Sequence, residues 1–205
     1  MSTKIALDGV GGQGVRLIAG VMGALLARMG KEVTVLLDYD SSVRGSMSDA
    51  FLIFDDEPIA NPVVEEADIM LKLADKGHLR ISGRKVVADL GLDVPGAEQI
   101  PFASLGSQLF GKELFGNMIA LGRLLRLAKI EFDEAAIRES LPRRFVEENL
   151  AAIRYGYDLT DDQIKRLASE APPSRFQMNT AATAATHERT ISAGHGVAAG
   201  APMDD

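Results

Sequence analysis

The chain has 205 residues, enough for one domain with additional segments, and 46% of them are hydrophobic, which predicts a buried core. A formal net charge of −7 leaves no basic surplus, so the composition argues against nucleic acid as the main partner. Cysteine is absent and the three histidines are scattered, so we expect no disulfide, iron–sulfur cluster or metal site in this chain. The most apolar run, residues 17–27, is too short to cross a membrane, and residues 1–7 lack a secretory pattern; we expect a cytoplasmic protein without a membrane partner.

The first predicted elements are a strand at residues 4–7, a glycine-rich turn, and a helix over residues 15–29. Gly9, Gly11 and Gly14 have the G-x-G-x-x-G spacing, and Gly12 adds a fourth glycine. Such a turn presents backbone N–H groups and the positive end of a helix dipole to a ligand, which is most often a phosphate. The alternative is a tight strand-to-helix turn that serves packing alone.

A second strand is predicted over residues 32–37, parallel to the first strand through a right-handed crossover. The polar loop after it, residues 38–48, lies where an open α/β sheet places its ligands. Within this loop, Arg44 followed by Gly45 suits a two-pronged contact with a carboxylate or phosphate. The alternative for Arg44 is a surface arginine paired with a nearby aspartate.

Asp38 bears on whether the ligand is a dinucleotide. It stands at the end of the second predicted strand, where dinucleotide-binding folds place an acid that binds ribose, but its spacing from Gly14 is long. The alternative is a turn residue. Asp38 therefore neither supports nor excludes a nicotinamide cofactor.

The remaining pattern alternates strands and helices and then becomes helical. Further strands are predicted at residues 49–54, 68–73 and 85–89, a short helix at 75–81, and helices at 115–128, 133–142, 145–155 and 161–170, with a loop from 91 to 101. This order predicts an α/β protein: a Rossmann-like three-layer αβα sandwich with a mostly parallel, mixed sheet and a helical C-terminal half. We assign residues 1–170 to this domain and residues 171–205 to an extended low-complexity tail.

Several side chains have predicted local roles. Gly30 suits the position after the first helix, Asp133 suits an N-cap, and Thr160 with Gln163 suits a capping box. Asn117 follows a glycine at the start of a helix, where it either caps that helix or faces a ligand. No combination of nucleophile, base and acid is recognisable, so we assign no catalytic residue.

Four sequence segments, taken together and in this order, indicate a resemblance to a known protein family. They are GVGGQG at residues 9–14, SVRGS at 42–46, NMIALG at 117–122 and FVEENLAAIRYGY at 145–157. Over residues 4–158 the chain resembles the gamma subunit, or gamma domain, of 2-oxoacid:acceptor oxidoreductases, which include pyruvate, 2-oxoisovalerate, 2-oxoglutarate, indolepyruvate and phenylglyoxylate enzymes. Two positions depart from that pattern: Ser46 replaces an expected second glycine, and Asp8 precedes the glycine turn where a small or apolar residue is more usual.

The resemblance implies a multi-subunit enzyme that decarboxylates a 2-oxoacid on thiamine diphosphate, transfers the acyl group to coenzyme A, and passes electrons through iron–sulfur clusters to ferredoxin or NAD. Thiamine diphosphate, magnesium and the clusters would belong to alpha, beta and delta-type partner subunits, and this chain alone would be inactive. The residues expected to help form the coenzyme A site are Gly9, Gly11, Gly12, Gln13, Gly14, Arg44, Gly45 and Asn117. Two alternatives are a stand-alone NAD(P)-binding dehydrogenase and a purely structural subunit that binds no ligand.

Overall fold

The computed structural model describes residues 2–39, 47–74 and 81–170. The strands are β1 (Thr3–Asp8), β2 (Glu32–Tyr39), β3 (Ser48–Asp55), β4 (Glu66–Lys72), β5 (Ser82–Asp89) and β6 (Glu98–Ile100). The helices are α1 (Val15–Arg28), α2 (Phe102–Phe110), α3 (Gly116–Leu127), α4 (Glu134–Ser140), α5 (Val146–Asp158) and α6 (Asp161–Glu170), with a short 3-10 helix (Glu113–Phe115) before α3. None of the described helices is long and apolar enough to cross a membrane.

The strands form one mixed sheet in the order β2-β3-β1-β4-β5-β6. The neighbours from β1 through β4 and β5 to β6 are parallel, whereas β3 is antiparallel to both β1 and β2. The prediction that β2 runs parallel to β1 is therefore confirmed, but β3 lies between them. Because β3 follows β2 closely in the chain, their antiparallel pairing closes a short loop and costs little chain entropy.

The core lies on one face of the sheet. Alternating strand residues such as Ile5, Leu7 and Leu52 are fully or almost fully buried there, and all six described helices contribute apolar residues to the same cluster. On the opposite face, Ala6, Phe51 and Met70 belong to a smaller cluster. The α/β class and the mixed sheet are confirmed, while a second helical layer has no counterpart within the described ranges.

Local sequence signals set several helix ends. Gly30 follows α1 with φ of 77°, in the left-handed region that glycine favours. The Asp133 side chain accepts a hydrogen bond from the Ala136 N–H and caps α4. Gln163 N donates to Thr160 Oγ1 at 3.3 Å, and Thr160 N donates to Gln163 Oε1 at 2.9 Å, so the predicted capping box begins α6.

Two predictions about secondary structure were wrong. The loop predicted from residue 91 to 101 contains β6, and α2 begins just after that range. The sequence did not reveal β6 because a strand of three residues is too short to show an alternating pattern. Gly156 does not end α5, which continues to Asp158. A Cβ at Gly156 would lie 1.9 Å from the Ile119 carbonyl oxygen, so this glycine permits the close packing of α5 on α3.

The predicted helix at residues 75–81 and the predicted loop at 38–48 lie largely outside the described residues, and the predicted tail at 171–205 lies wholly outside them.

Candidate functional site

The glycine turn joins the C-terminal end of β1 to the first residue of α1. Gly12 and Gly14 have φ of 96° and 79°, which L side chains rarely adopt, so the turn depends on glycine at both positions. Gly11 and Gly12 are exposed, and Gly14 is the N-cap of α1 without a side-chain capping bond. Gly14 therefore leaves the N–H groups of the first turn of α1 without a capping bond from its own position.

Gln13 fixes this turn to the end of β4. Its side-chain Oε1 accepts a hydrogen bond from Val10 N at 2.9 Å, and its Nε2 donates to the Leu73 carbonyl oxygen at 2.8 Å. Both ends of the amide are thus bonded to backbone groups of the chain itself. Gln13, which the sequence placed among the ligand contacts, here holds the turn in position.

Neighbouring strands hold the base of the turn. Ser48 N donates to the Gly9 carbonyl oxygen at 3.0 Å, and Leu73 N donates to the Asp8 carbonyl oxygen at 2.8 Å. The Asp8 carboxylate is buried, and one of its oxygens lies 3.4 Å from Lys72 Nζ on β4. The unusual acid before the glycine motif is therefore compensated by a cation on the adjacent strand.

Asn117 brings a second helix start to the glycine turn. A Cβ at Gly14 would lie 2.1 Å from Asn117 Nδ2, so the Asn117 side chain packs directly on the Gly14 backbone. Asn117 is 8% exposed, and its Nδ2 is buried without a hydrogen-bond partner among the described residues. It does not cap α3, whose N-cap is Phe115.

The N-termini of α1 and α3 therefore meet at the contact between Gly14 and Asn117. Each helix start carries about half a positive charge from its dipole, so this place favours an anion. A buried amide N–H without a partner costs about 1–3 kcal/mol, which a ligand that accepts a hydrogen bond there would offset.

Asp38 lies away from this site. It belongs to the edge strand β2, where it pairs with Asp49 of β3, and β3 separates it from β1. Because adjacent strands are about 4.8 Å apart, Asp38 is about 10 Å from β1 across the sheet. A dinucleotide-binding fold has its ribose-binding acid on the strand next to β1, so this topology disfavours the NAD(P) alternative. Arg44 and Gly45 lie outside the described residues.

Comparison with known proteins decides the family. The model of the family "Pyruvate ferredoxin/flavodoxin oxidoreductase" matches residues 4–159. The chain belongs to this pyruvate ferredoxin/flavodoxin oxidoreductase family. The resemblance found in the sequence is thereby confirmed, over almost the same residues.

Relatives of this oxidoreductase family share both sequence and fold with the chain. A 2-oxoglutarate synthase subunit KorC from Methanocaldococcus jannaschii is 30% identical over 179 residues, which are 79% of this chain and 96% of that protein. A keto/oxoacid ferredoxin oxidoreductase gamma subunit from Geobacter sulfurreducens has the same fold, with a TM-score of 0.62 and 22% identity over 82% of this chain and 98% of that one.

A longer relative shows the same fold within a larger chain. It is a 2-oxoglutarate:ferredoxin oxidoreductase from Magnetococcus marinus, with a TM-score of 0.60 and 21% identity over 84% of this chain and 32% of that one. That structure holds 2-oxoglutarate, coenzyme A and succinyl-CoA.

Two polar residues that support the oxidoreductase fold were not found from sequence. Asp89 ends β5, and its Oδ1 accepts hydrogen bonds from Leu90 N at 3.1 Å and from Phe102 N, at the start of α2, at 2.9 Å. Burial raises the pKa of Asp89 to about 6. Arg123 on α3 is 4% exposed and forms an ion pair with Glu98 of β6 at 2.7 Å. In the sequence, Asp89 and Arg123 are single charged residues next to apolar segments. Their supporting roles become recognisable only when their hydrogen-bond and ion-pair partners are known.

Within the described ranges, no group of three or more His, Asp or Glu side chains is arranged to hold a metal ion. Of the residues predicted from the sequence to form the site, the structure brings together the glycines of the turn, Gln13 and Asn117. They lie where α1 and α3 meet.

Proposed function

We propose that this chain is the gamma subunit of a multi-subunit, cytoplasmic 2-oxoacid oxidoreductase. Alpha, beta and delta-type partner subunits hold thiamine diphosphate, magnesium and iron–sulfur clusters. The assembly oxidatively decarboxylates a 2-oxoacid, forms an acyl-CoA and passes electrons to ferredoxin or NAD. The family match and the curated relatives, which are named as subunits of 2-oxoglutarate synthase, support this assignment.

The proposed contribution of this chain is to bind phosphate groups of coenzyme A at the glycine turn. The observation that carries the proposal is the contact between Gly14 and Asn117, where two helix N-termini meet beside an amide that has no partner among the described residues. Coenzyme A carries a diphosphate and a further phosphate, and helix N-termini bind such groups through backbone N–H donors. The presence of coenzyme A in the Magnetococcus marinus relative supports the choice of ligand.

In this site the glycines and Asn117 have different roles. Gly11 and Gly12, which are exposed, let phosphate approach the backbone, and Gly14 leaves room for the Asn117 side chain. Asn117 donates a hydrogen bond to the phosphate. Arg44 and Gly45, which follow β2 in the sequence, are proposed to complete the site with a charged contact. Gln13 keeps the turn in place through Val10 and Leu73.

The test is an isosteric substitution, Asn117→Asp, with Asn149→Asp as its matched control. Both asparagines are 8% exposed in the early part of a helix, but Asn149 Nδ2 donates to the Arg144 carbonyl oxygen at 3.2 Å. An aspartate at position 117 benefits from two helix dipoles but repels phosphate. An aspartate at position 149 loses its donor and faces a carbonyl oxygen instead.

The measurement is the apparent KM for coenzyme A in the reconstituted complex with saturating 2-oxoacid, together with the melting temperature. Losing one charge-assisted hydrogen bond is worth about 1.5–3 kcal/mol, so Asn117→Asp is expected to raise KM by about 10- to 150-fold. Asn149→Asp is expected to lower the melting temperature and leave KM unchanged. An intact Asn117→Asp complex with unchanged KM would overturn the phosphate site and favour a purely structural subunit.

Arg44 is tested in the same assay. Arg44→Ala is expected to raise the KM for coenzyme A by about tenfold to a hundredfold, and Arg44→Lys to recover part of the loss, because an ammonium lacks the planar fork of a guanidinium. Thiamine and cluster content should not change. Decarboxylation of a 2-oxoacid by the isolated chain would contradict the subunit assignment itself.

A further inference from the structure

We infer that one exposed surface of the chain docks an acidic, partly apolar surface of a partner subunit. We call it the Phe145 surface; it consists of Leu109, Lys112, Leu114, Arg143, Arg144 and Phe145. It lies where the end of α2, the 3-10 helix and the start of α5 come together. The inference rests on the proposed subunit role and adds where, and with what chemistry, this chain meets its neighbour.

The Phe145 ring holds two cations in this surface. Lys112 Nζ lies 4.1 Å from the ring centre, and the Arg144 guanidinium carbon lies 4.7 Å from it. The ring also packs edge-on against the buried Phe115, with centroids 5.9 Å apart. Contacts of a cation with an aromatic face fix the positions of long side chains that would otherwise be mobile in solvent.

These cations have no carboxylate partner among the described residues. Some other exposed arginines do pair with acids, as Arg28 does with Glu139 and Arg84 with Glu66. Glu147, the acid closest in sequence to Phe145, pairs with Arg138. In a chain of net charge −7, the three cations of this surface outnumber Glu113, the exposed acid next to Lys112, and so leave a local excess of positive charge.

The surface also has an apolar part. Leu109 and Leu114 are 48% and 50% exposed, and they flank Lys112 in sequence. Exposed apolar side chains beside arginine and lysine are typical of the centre and rim of a protein–protein interface. Free phosphate would neutralise the cations but leave both leucines in water, so a protein surface with carboxylates around an apolar centre fits better.

The backbone of this surface is fixed before any partner binds. Phe145 has φ of 56°, in the left-handed region that costs a non-glycine residue about 1–2 kcal/mol. The packing on Phe115 and the hydrogen bond from Asn149 N to the Phe145 carbonyl oxygen at 2.9 Å hold it there. A preformed surface loses little conformational entropy on docking.

The first test is charge reversal, Lys112→Glu with Arg144→Glu, in the chain used for reconstitution with its partner subunits. The matched control is Lys165→Glu with Arg166→Glu, two exposed lysine and arginine positions on α6 with the same change in charge. We expect the first pair to weaken association at least tenfold, measured by titration, and to abolish its salt dependence. We expect the control pair to associate like the wild type.

A labelling experiment reports on the same surface without mutation. Lysine acylation followed by mass spectrometry should show Lys112 protected in the assembled complex and labelled in the free chain. Lys165 should be labelled equally in both. Association of the Lys112→Glu, Arg144→Glu chain with wild-type affinity, or equal labelling of Lys112 in both states, would overturn the docking surface while leaving the subunit role intact. Failure of the wild-type chain to associate at all would overturn both.

Discussion

Gln13→Ala tests whether the glycine turn is held by its side-chain contacts. The substitution removes the hydrogen bonds from Val10 N and to the Leu73 carbonyl oxygen, at 2.9 and 2.8 Å. At about 0.5–1.5 kcal/mol each, with a buried N–H left unpaired, the expected loss is about 2–3 kcal/mol of unfolding free energy. For a chain of this size that is about 4–12 °C in melting temperature, measured by circular dichroism.

The control for this prediction is Gln163→Ala, which removes an exposed capping-box glutamine and should cost less than about 1 kcal/mol. Gln13→Glu adds a second check, because it keeps the acceptor for Val10 N and replaces the donor to Leu73 by an oxygen. Its stability should recover on acidification, when the protonated carboxyl can donate again. Equal, small losses for Gln13→Ala and Gln163→Ala would show that the turn does not depend on Gln13.

Two further predictions concern polar groups that support the fold. Because folding raises the pKa of Asp89 from 3.8 to about 6, the stability of the wild type should fall as pH rises through that interval. Asp89→Asn keeps the hydrogen-bond acceptor without the charge, so its stability relative to wild type should improve by up to about 3 kcal/mol between pH 4 and pH 7.5. A difference in stability that stays constant with pH would contradict this. Arg123→Met should cost about 3–5 kcal/mol in denaturant unfolding, because it leaves Glu98 and the Leu159 carbonyl oxygen without their buried partner. Arg84→Met, which removes an exposed pair, should cost less than about 1 kcal/mol, and equal losses would show that the Arg123 network is not stabilising.

Features that depend on neighbouring residues in the sequence could be predicted. The glycine turn, the caps at Asp133 and Thr160, and the glycine after α1 each follow from the backbone geometry that one residue type allows. The class of fold followed from the same local patterns, because strands and helices alternate before the chain becomes helical.

Features that depend on distant residues could not be predicted. The insertion of β3 between β1 and β2 is a pairing choice that periodicity does not encode. The contact of Asn117 with Gly14 requires the position of α3 on the sheet, and the bonds of Gln13 require the end of β4. Gly156 shows the same limit: its sequence context suits a helix stop, yet its neighbour on α3 gives it a packing role.

The central place of β1 has a consequence for synthesis on the ribosome. β1 is made before the other strands of its sheet, yet Ala6 pairs with Phe51 on one side and with Met70 on the other. At about 5–20 residues per second, the first strand waits for several seconds before either neighbour has been translated. During that interval, its apolar residues Ile5 and Leu7 are available to other nascent chains and to chaperones. Slower translation or delayed folding of β3 should therefore increase aggregation more than the stability of the finished protein would suggest.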